Sequence, residues 1–234
     1  MDDRDRPIYR LSNALAFPDP LEGRRDGLLA VGGDLKPERL LLGYQLGIFP
    51  WYTEDEPILW WSPDPRMVLF PEQLHIPRSL KKSIRKGRYR ITADTVFSQV
   101  ITACAHTPRP FQDGTWLVTD MIAAYHRLHQ LGFAHSFEAW NAEGQLVGGL
   151  YGVSIGRCFF GESMFSLQPD ASKTAFVKAV AWLEKQEIEL IDCQVTTDHL
   201  ERFGGVEISR QDFLEHLAAA VNHPTRRGRW VMEG

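Results

Sequence analysis

The apolar positions of this chain change their period along its length. Residues 1–70 carry only short apolar clusters broken by Pro, Gly and Asp, which predicts an irregular, turn-rich module. Within it Leu40, Leu41 and Tyr44 share a helical face, with Asp34 as the expected cap and Pro37 in the first turn. A Pro-rich loop, GIFPWYTEDEPILWWSPDPR (47–66), then holds three tryptophans. Trp60 and Trp61 read as core of the module, while Trp51, between Pro50 and a polar loop, is the candidate stacking platform. Helical spacing returns at Val96, Val100, Ile101 and Cys104 behind an expected Asp94 cap. It recurs at Ile122, Tyr125 and Leu128 behind Thr119, with Gly132 as the stop. The turn-forming loop 106–118 separates these two helices.

From Ala134 the period falls to two. AHSFEAW, QLVGGLYGVS and RCFFGESMF predict three antiparallel strands, joined by turns at 141–144 and near Ile155-Gly156. A polar loop, 166–171, opens a helix with Ser172 as its cap and Phe176, Val180 and Leu183 on its apolar face. IELIDCQV (188–195) reads as a nearly continuous apolar strand. A helix ending near Gly204, a strand at Val206–Ile208 and a last helix carrying Phe213, Leu217 and Val221 complete the chain. Ser209-x-x-Asp212 resembles the capping box of that last helix. The pattern predicts an α/β (α+β) fold: a small N-terminal α/β domain over residues 1–90, with the Trp-rich loop, and a larger domain over 91–234.

Composition excludes several classes. Gly 19 and Pro 14 in 234 residues argue against collagen-like or low-complexity character. No stretch approaches the ~20 apolar residues of a membrane span. The charged start, MDDRDRPIYR, lacks the apolar core of a signal peptide. Cys104, Cys158 and Cys193 are widely spaced and odd in number, which excludes a disulfide framework or Cys-rich zinc site and fits a reducing cytoplasm. The net charge of −4, taken as an average, discourages nucleic acid. Its distribution does not: Arg78, Lys81, Lys82, Arg85, Lys86, Arg88 and Arg90 form a run without an acid, and Arg226, Arg227 and Arg229 repeat the theme in the tail. Such a run is either a solvated face or the footprint of a phosphate backbone.

Familiar catalytic signatures are missing. Gly161-Glu162-Ser163-Met164-Phe165 starts like a nucleophile elbow but ends in Phe where Gly is needed. His126 and His129 lie three apart with no acid beside them, which favours packing over metal ligation. There is no Walker loop or dinucleotide fingerprint, so neither a cofactor nor a metal is expected. What stands out is polarity on otherwise apolar strands: Glu162, Asp192 and Gln194. Carboxylates are almost never buried unpaired, and Asp192 within Leu190-Ile191-Asp192-Cys193-Gln194 is the sharpest anomaly. A structural salt bridge is the plainer reading of it, and chemistry the sharper one.

Nine motifs then fall into one pattern. GGDL (32–35), GIFPW (47–51), LWWSPDPR (59–66), GTW (114–116), AYHRLH (124–129), GGLYGV (148–153), GESMFS (161–166), ASKTA (171–175) and IDCQ (191–194) resemble the leucyl/phenylalanyl-tRNA–protein transferase family. The likeness runs in order from about residue 12 to 221. It implies a C-terminal N-acetyltransferase-like (GNAT-related) catalytic domain. It implies an aminoacyltransferase that moves Leu or Phe, less readily Met, from aminoacyl-tRNA to the α-amine of proteins beginning with Arg or Lys, marking them for degradation. By the same resemblance Asp192 and Gln194 are catalytic positions, and Trp51 and Trp116 lie beside the aminoacyl-adenosine end. Glu162 and Asp192 can receive the cationic acceptor. Leu150, Phe159, Phe176, Leu183 and Ile191 match the pocket for the amino-acid side chain, where Ala179 is smaller than the family's usual residue.

Elementary chemistry agrees with that resemblance. An aminoacyl ester is already activated, and an α-amine with a pKa of about 7.7–8.0 supplies neutral nucleophile at pH 7. Positioning alone then carries much of the rate. The expected partners are therefore aminoacyl-tRNA on the 78–90 run and an Arg- or Lys-initiated chain at the acids, with no cofactor, no membrane and a monomer by default. Two other readings remain. An acetyl-CoA-dependent acetyltransferase would need a pyrophosphate loop where SLQPDASKTA stands. A non-catalytic RNA-binding module would leave Glu162, Asp192 and Gln194 without a purpose.

Overall fold

The computed structural model describes residues 6–107 and 117–232. Its first seventy residues hold more sheet than their turn-rich sequence suggested. β1 (Tyr9–Leu11), β2 (Leu28–Gly32), β3 (Phe49–Pro50) and β4 (Leu59–Trp61) form a four-stranded sheet in the order β1-β2-β4-β3. These strands run two to five residues, too short for an alternation to register. Trp60 and Trp61 thus belong to a strand and not to a loop. Trp60 is fully buried and donates its Nε1–H to the Gly32 carbonyl at 2.8 Å.

A seven-stranded sheet dominates the rest. It adds β5 (Arg66–Leu69), β6 (Arg90–Ala93), β7 (Ala134–Trp140), β8 (Leu146–Ile155), β9 (Cys158–Ser166), β10 (Leu190–Gln194) and β11 (Val206–Ile208), in the order β11-β5-β10-β9-β8-β7-β6. All pairs are antiparallel except β9 with β10. Strand β5 comes from the N-terminal third of the chain yet sits inside this sheet.

Among the described residues seven α-helices surround the sheets: α1 (Pro37–Gln45), α2 (Arg78–Arg85), α3 (Phe97–His106), α4 (Thr119–Gln130), α5 (Ala171–Lys185), α6 (Asp198–Glu201) and α7 (Arg210–Val221). Strand alternation sorts side chains into two cores. Val68, Tyr151 and Phe160 pack with α1, α3, α4 and α7 on one face, while Leu69, Leu150 and Phe159 pack with α2 and α5 on the other. Gly148 lets α5 approach β8, because a Cβ there would stand 2.8 Å from that of Ala171.

Ser209 caps α7 as expected: the Asp212 N–H donates to Ser209 Oγ at 3.1 Å, and that hydroxyl donates to Asp212 Oδ2 at 2.6 Å. Four other cap expectations need correction. α1 starts after Lys36, and Asp34 instead accepts the Lys36 N–H at 3.0 Å, turning the chain one step earlier. Thr119 is the first residue of α4, behind Val118. α5 begins at Ala171 behind Asp170, whose φ of +64° ends the preceding loop, so Ser172 already lies inside the helix. Asp94 does not cap α3; its carboxylate is buried against β7 and the C-terminal segment.

Candidate active site

Two bulges build the site. Strands β9 and β10 run in register from Leu190 opposite Cys158 to Asp192 opposite Phe160, and then part. On β9, Tyr151 faces Ser163 and Gly152 faces Gly161, so Glu162 is the extra residue of a bulge. On β10, Asp192 faces Val68 and Gln194 faces Met67, which makes Cys193 a second extra residue. Gln194 accordingly takes a left-handed φ of +64°, uncommon for a residue with a side chain. Bulges re-aim side chains at sheet edges and functional clefts. Here they aim Glu162 and Gln194 at each other: Gln194 Nε2 donates to Glu162 Oε1 at 3.0 Å.

Asp192 is fully buried and lies behind this pair. Arg66 donates to both of its oxygens, Nε to Oδ1 at 2.8 Å and Nη2 to Oδ2 at 2.7 Å. The Gln194 N–H donates to Oδ1 at 2.9 Å, which fixes the bulge. Arg66 is equally enclosed, its guanidinium held over the Phe49 and Phe213 rings at 4.9 and 4.4 Å. The salt bridge weighed from sequence therefore exists. Asp192 presents no surface on which an incoming cation could bind, so the direct acceptor contact expected of it is corrected: its carboxylate meets Arg66 and the Gln194 main chain instead.

Glu162 is held by hydroxyls where Asp192 is held by a guanidinium. Tyr44 of α1 donates to Oε1 at 2.8 Å and Tyr125 of α4 donates to Oε2 at 2.7 Å, with the two hydroxyls 2.6 Å apart. Burial raises its pKa to about 7; the Tyr125, Tyr44 and Gln194 hydrogen bonds pull it down, and the Asp192 charge pushes it up. Burial pushes the Cys193 thiol far above its usual range, which leaves no thiolate nucleophile here.

Beyond Glu162 a cavity of about 610 Å³ opens between β8, β9, β10 and α5. Leu150, Phe159, Phe176, Leu183 and Ile191, expected as pocket residues, all line it, as does Ala179. Glu162 and Gln194 stand in the same wall. An apolar chamber with a few convergent polar groups is the form of a small-ligand site. Trp51 does not line it; half-buried, it packs obliquely on Trp61 at 5.8 Å between ring centroids. Trp116 lies outside the described residues.

The basic run sits elsewhere, on α2 and the strand that follows. Arg78, Lys81, Lys82, Arg85, Lys86, Arg88 and Arg90 are all exposed, and among the described residues none forms an ion pair. Leu80 anchors the helix in the α5 core. The tail arginines are engaged internally: Arg226 with Gln186, Arg227 with the Leu131 carbonyl, Arg229 with that of Asp94. Among the described residues no cluster of three or more His, Cys, Asp or Glu could hold a metal ion, and no helix is long and apolar enough to cross a membrane.

Sequence reasoning missed Arg66, Tyr44 and Tyr125 as parts of the site. The tyrosines look like apolar helix-face residues, and Arg66 ends a proline-rich motif. The unmatched charge of Asp192 was the one signal that called for a buried cation.

The family described as leucyl/phenylalanyl-tRNA protein transferase matches residues 68–218, and its N-terminal domain matches residues 33–64. The chain belongs to this family. A leucyl/phenylalanyl-tRNA–protein transferase of Anaeromyxobacter sp. (strain Fw109-5) is 62% identical over 226 residues, covering 97% of this chain and 96% of that one. The protein of the same name from Myxococcus xanthus is 57% identical, covering 96% and 97%; that from Desulforapulum autotrophicum is 55% identical, covering 97% and 99%. Among solved structures, L-PGS from Bacillus licheniformis has a TM-score of 0.41 at 12% identity over 73% of this chain and 54% of that one. A GCN5-related N-acetyltransferase from Sphaerobacter thermophilus has a TM-score of 0.36 at 13% identity over 81% and 60%. Membership makes the chain an aminoacyltransferase of mixed α/β fold.

Proposed function

We propose that the chain transfers Leu or Phe, and Met less readily, from aminoacyl-tRNA to the α-amine of proteins that begin with Arg or Lys, marking them for degradation in the cytoplasm. One observation carries this reading: a single cavity joins an apolar chamber to a carboxylate and an amide at its polar wall. The chamber suits an aliphatic or aromatic side chain, and Glu162 suits a cationic chain terminus. The seven cations on and after α2 would meet tRNA phosphates. Residues 1–90 would complete the catalytic domain of 91–234, to whose sheet they already lend β5, and the enzyme would work as a monomer without a cofactor.

The reaction needs little from the protein beyond placement. The neutral α-amine attacks the ester carbonyl; the C–N bond forms, the ester C–O bond breaks, and one amine proton passes to the leaving ribose oxygen. Gln194 is the group that touches the reacting atoms. Asp192, tied to Arg66 and to the Gln194 main chain, is the positioning residue that holds it. Trp51 would stack on the terminal adenosine.

Incubation with labelled Leu-tRNA and an Arg-initiated peptide tests the whole reading. Ligation to that peptide, and not to a Ser-initiated one, is the expected result; absence of any ligation would discard the proposal. tRNA binding should weaken steeply as salt rises.

A further inference from the structure

Glu162 sits at a crossing point. Its backbone belongs to the β9 bulge, the residue lines the cavity on the α5 side together with its donor Gln194, and its two hydroxyl donors come from the opposite face. Tyr44 arrives from α1, within the N-terminal segment; Tyr125 arrives from α4. Both phenols are fully buried, and burial, with the Glu162 charge second, holds their pKa well above the ordinary phenol value, so they remain donors. Each hydroxyl has one proton. While Glu162 is charged, both protons point at its carboxylate. When it is neutral, one hydroxyl can turn to its neighbour 2.6 Å away. The pair therefore favours the charged form.

Among the described residues, Cys193 of β10 and His199 of α6 share the cavity wall with Glu162; burial raises the Cys193 thiol pKa and lowers that of His199 below its ordinary 6.5. Gln194 of β10 donates to Oε1, Asp192 of β10 lies behind it neutralised by Arg66 of β5, and Tyr151 of β8 packs edge-on against Tyr125 at 5.4 Å. No cation faces the carboxylate directly among these. Among the described residues the tyrosines are its only hydroxyl donors, and they take opposite oxygens.

We propose that Tyr44 and Tyr125 are positioning residues for the acceptor: by donating to opposite oxygens of Glu162 they aim its carboxylate at the cavity and keep it charged, so that a cationic chain terminus is taken. This rests on the acceptor reading of Glu162 given above. It makes α1, remote in sequence from the catalytic strands, a determinant of which pH the enzyme accepts its substrate at.

The test uses the full chain with its glutamates carrying a ¹³C label at the carboxyl carbon. Glu162 is assigned by the resonance lost in Glu162→Gln and titrated in the wild type, Tyr44→Phe and Tyr125→Phe. Phenylalanine keeps the ring and removes only the donor, so packing is preserved; a thermal melt of each variant confirms folding. The expected midpoint is about 7 in the wild type and about one unit higher in each variant. The KM for an Arg-initiated peptide should then rise about fivefold at pH 7 and return close to the wild-type value by pH 9. A midpoint unmoved in both variants, or a KM defect as large at pH 9 as at pH 7, would overturn the inference. Failure of the wild type to ligate the peptide at all would instead strike the acceptor reading, leaving the titration to be judged separately.

Discussion

Among the described residues, the buried carboxylates Asp94 and Asp192 each centre a polar cluster at the large sheet, and of these two clusters only the second opens on a cavity. Around Asp94, the Ser136 N–H donates at 2.9 Å, the Trp230 N–H at 2.7 Å, and His135 Nδ1 stands 2.8 Å away. The His135 ring lies flat on Trp230, 3.5 Å between centroids, and none of these residues lines the cavity. Around Asp192 the enclosure is as complete, but its neighbour Glu162 turns outward into a chamber. Burial of a charged group, and even a perturbed proton affinity, mark structure as readily as chemistry. The opening distinguishes them.

The largest expected effects test that distinction. Arg66→Ala strands the Asp192 charge in the core, and removing one partner of a buried pair typically costs about 3–5 kcal/mol. Urea denaturation should show that loss, and transfer should vanish with it. The double variant Arg66→Met with Asp192→Leu should recover stability without recovering transfer, because Gln194 loses its anchor. In the other centre, Trp230→Ala should also cost about 3–5 kcal/mol by emptying a packed aromatic site. There, transfer per folded molecule should persist. If Trp230→Ala abolished transfer in fully folded protein, the Asp94 centre could no longer be called structural.

How much of this was legible follows the same line. Asp192 and Glu162 stood out because a carboxylate on an apolar strand demands a partner; Leu150, Phe159 and Ile191 were expected in the pocket only through the family resemblance, because periodicity alone reads them as core. Asp94 was misread because an acid just before a helical pattern is the ordinary signature of a cap; its φ of +50° and its Ser136 and Trp230 partners depend on segments 42 and 136 residues away. The two bulges were invisible for a related reason. A bulge is a relation between two strands, and neither strand's own pattern contains it. Tyr44 and Tyr125 satisfy an apolar helix face and a polar site at once, and periodicity registers only the first.

Stability against pH separates the centres at intermediate magnitude. Burial raises the Glu162 pKa to about 7 from an ordinary 4.5, so the folded state holds the extra proton between those values. That contribution is complete below about 4.5 and is lost as pH rises through 7, on the order of 3 kcal/mol. His135 behaves oppositely: burial, outweighing the Asp94 hydrogen bond and charge, lowers its pKa below 6.5. The unfolded chain then binds the extra proton, so this contribution is complete above 6.5 and is lost as pH falls. Unfolding free energies from pH 4.5 to 8 should therefore flatten on the Glu162 side in Glu162→Gln and on the acidic side in His135→Gln. Identical slopes in Glu162→Gln and the wild type would mean that Glu162 does not titrate with folding.

The smallest effect belongs to the surface, where neither centre reaches. Lys81 on α2 is exposed and makes no ion pair among the described residues. Lys81→Ala should leave stability within about 0.5 kcal/mol, as for most exposed substitutions. Its consequence should appear only in tRNA binding, as a salt dependence shallower by about one unit of slope, the signature of one lost phosphate contact. Adding Lys82→Ala and Arg85→Ala should flatten the slope stepwise while the acceptor KM holds. An unchanged slope in the triple variant would move the tRNA contact off α2. An acceptor KM that rose with it would mean that α2 acts on the cavity and not on the nucleic acid.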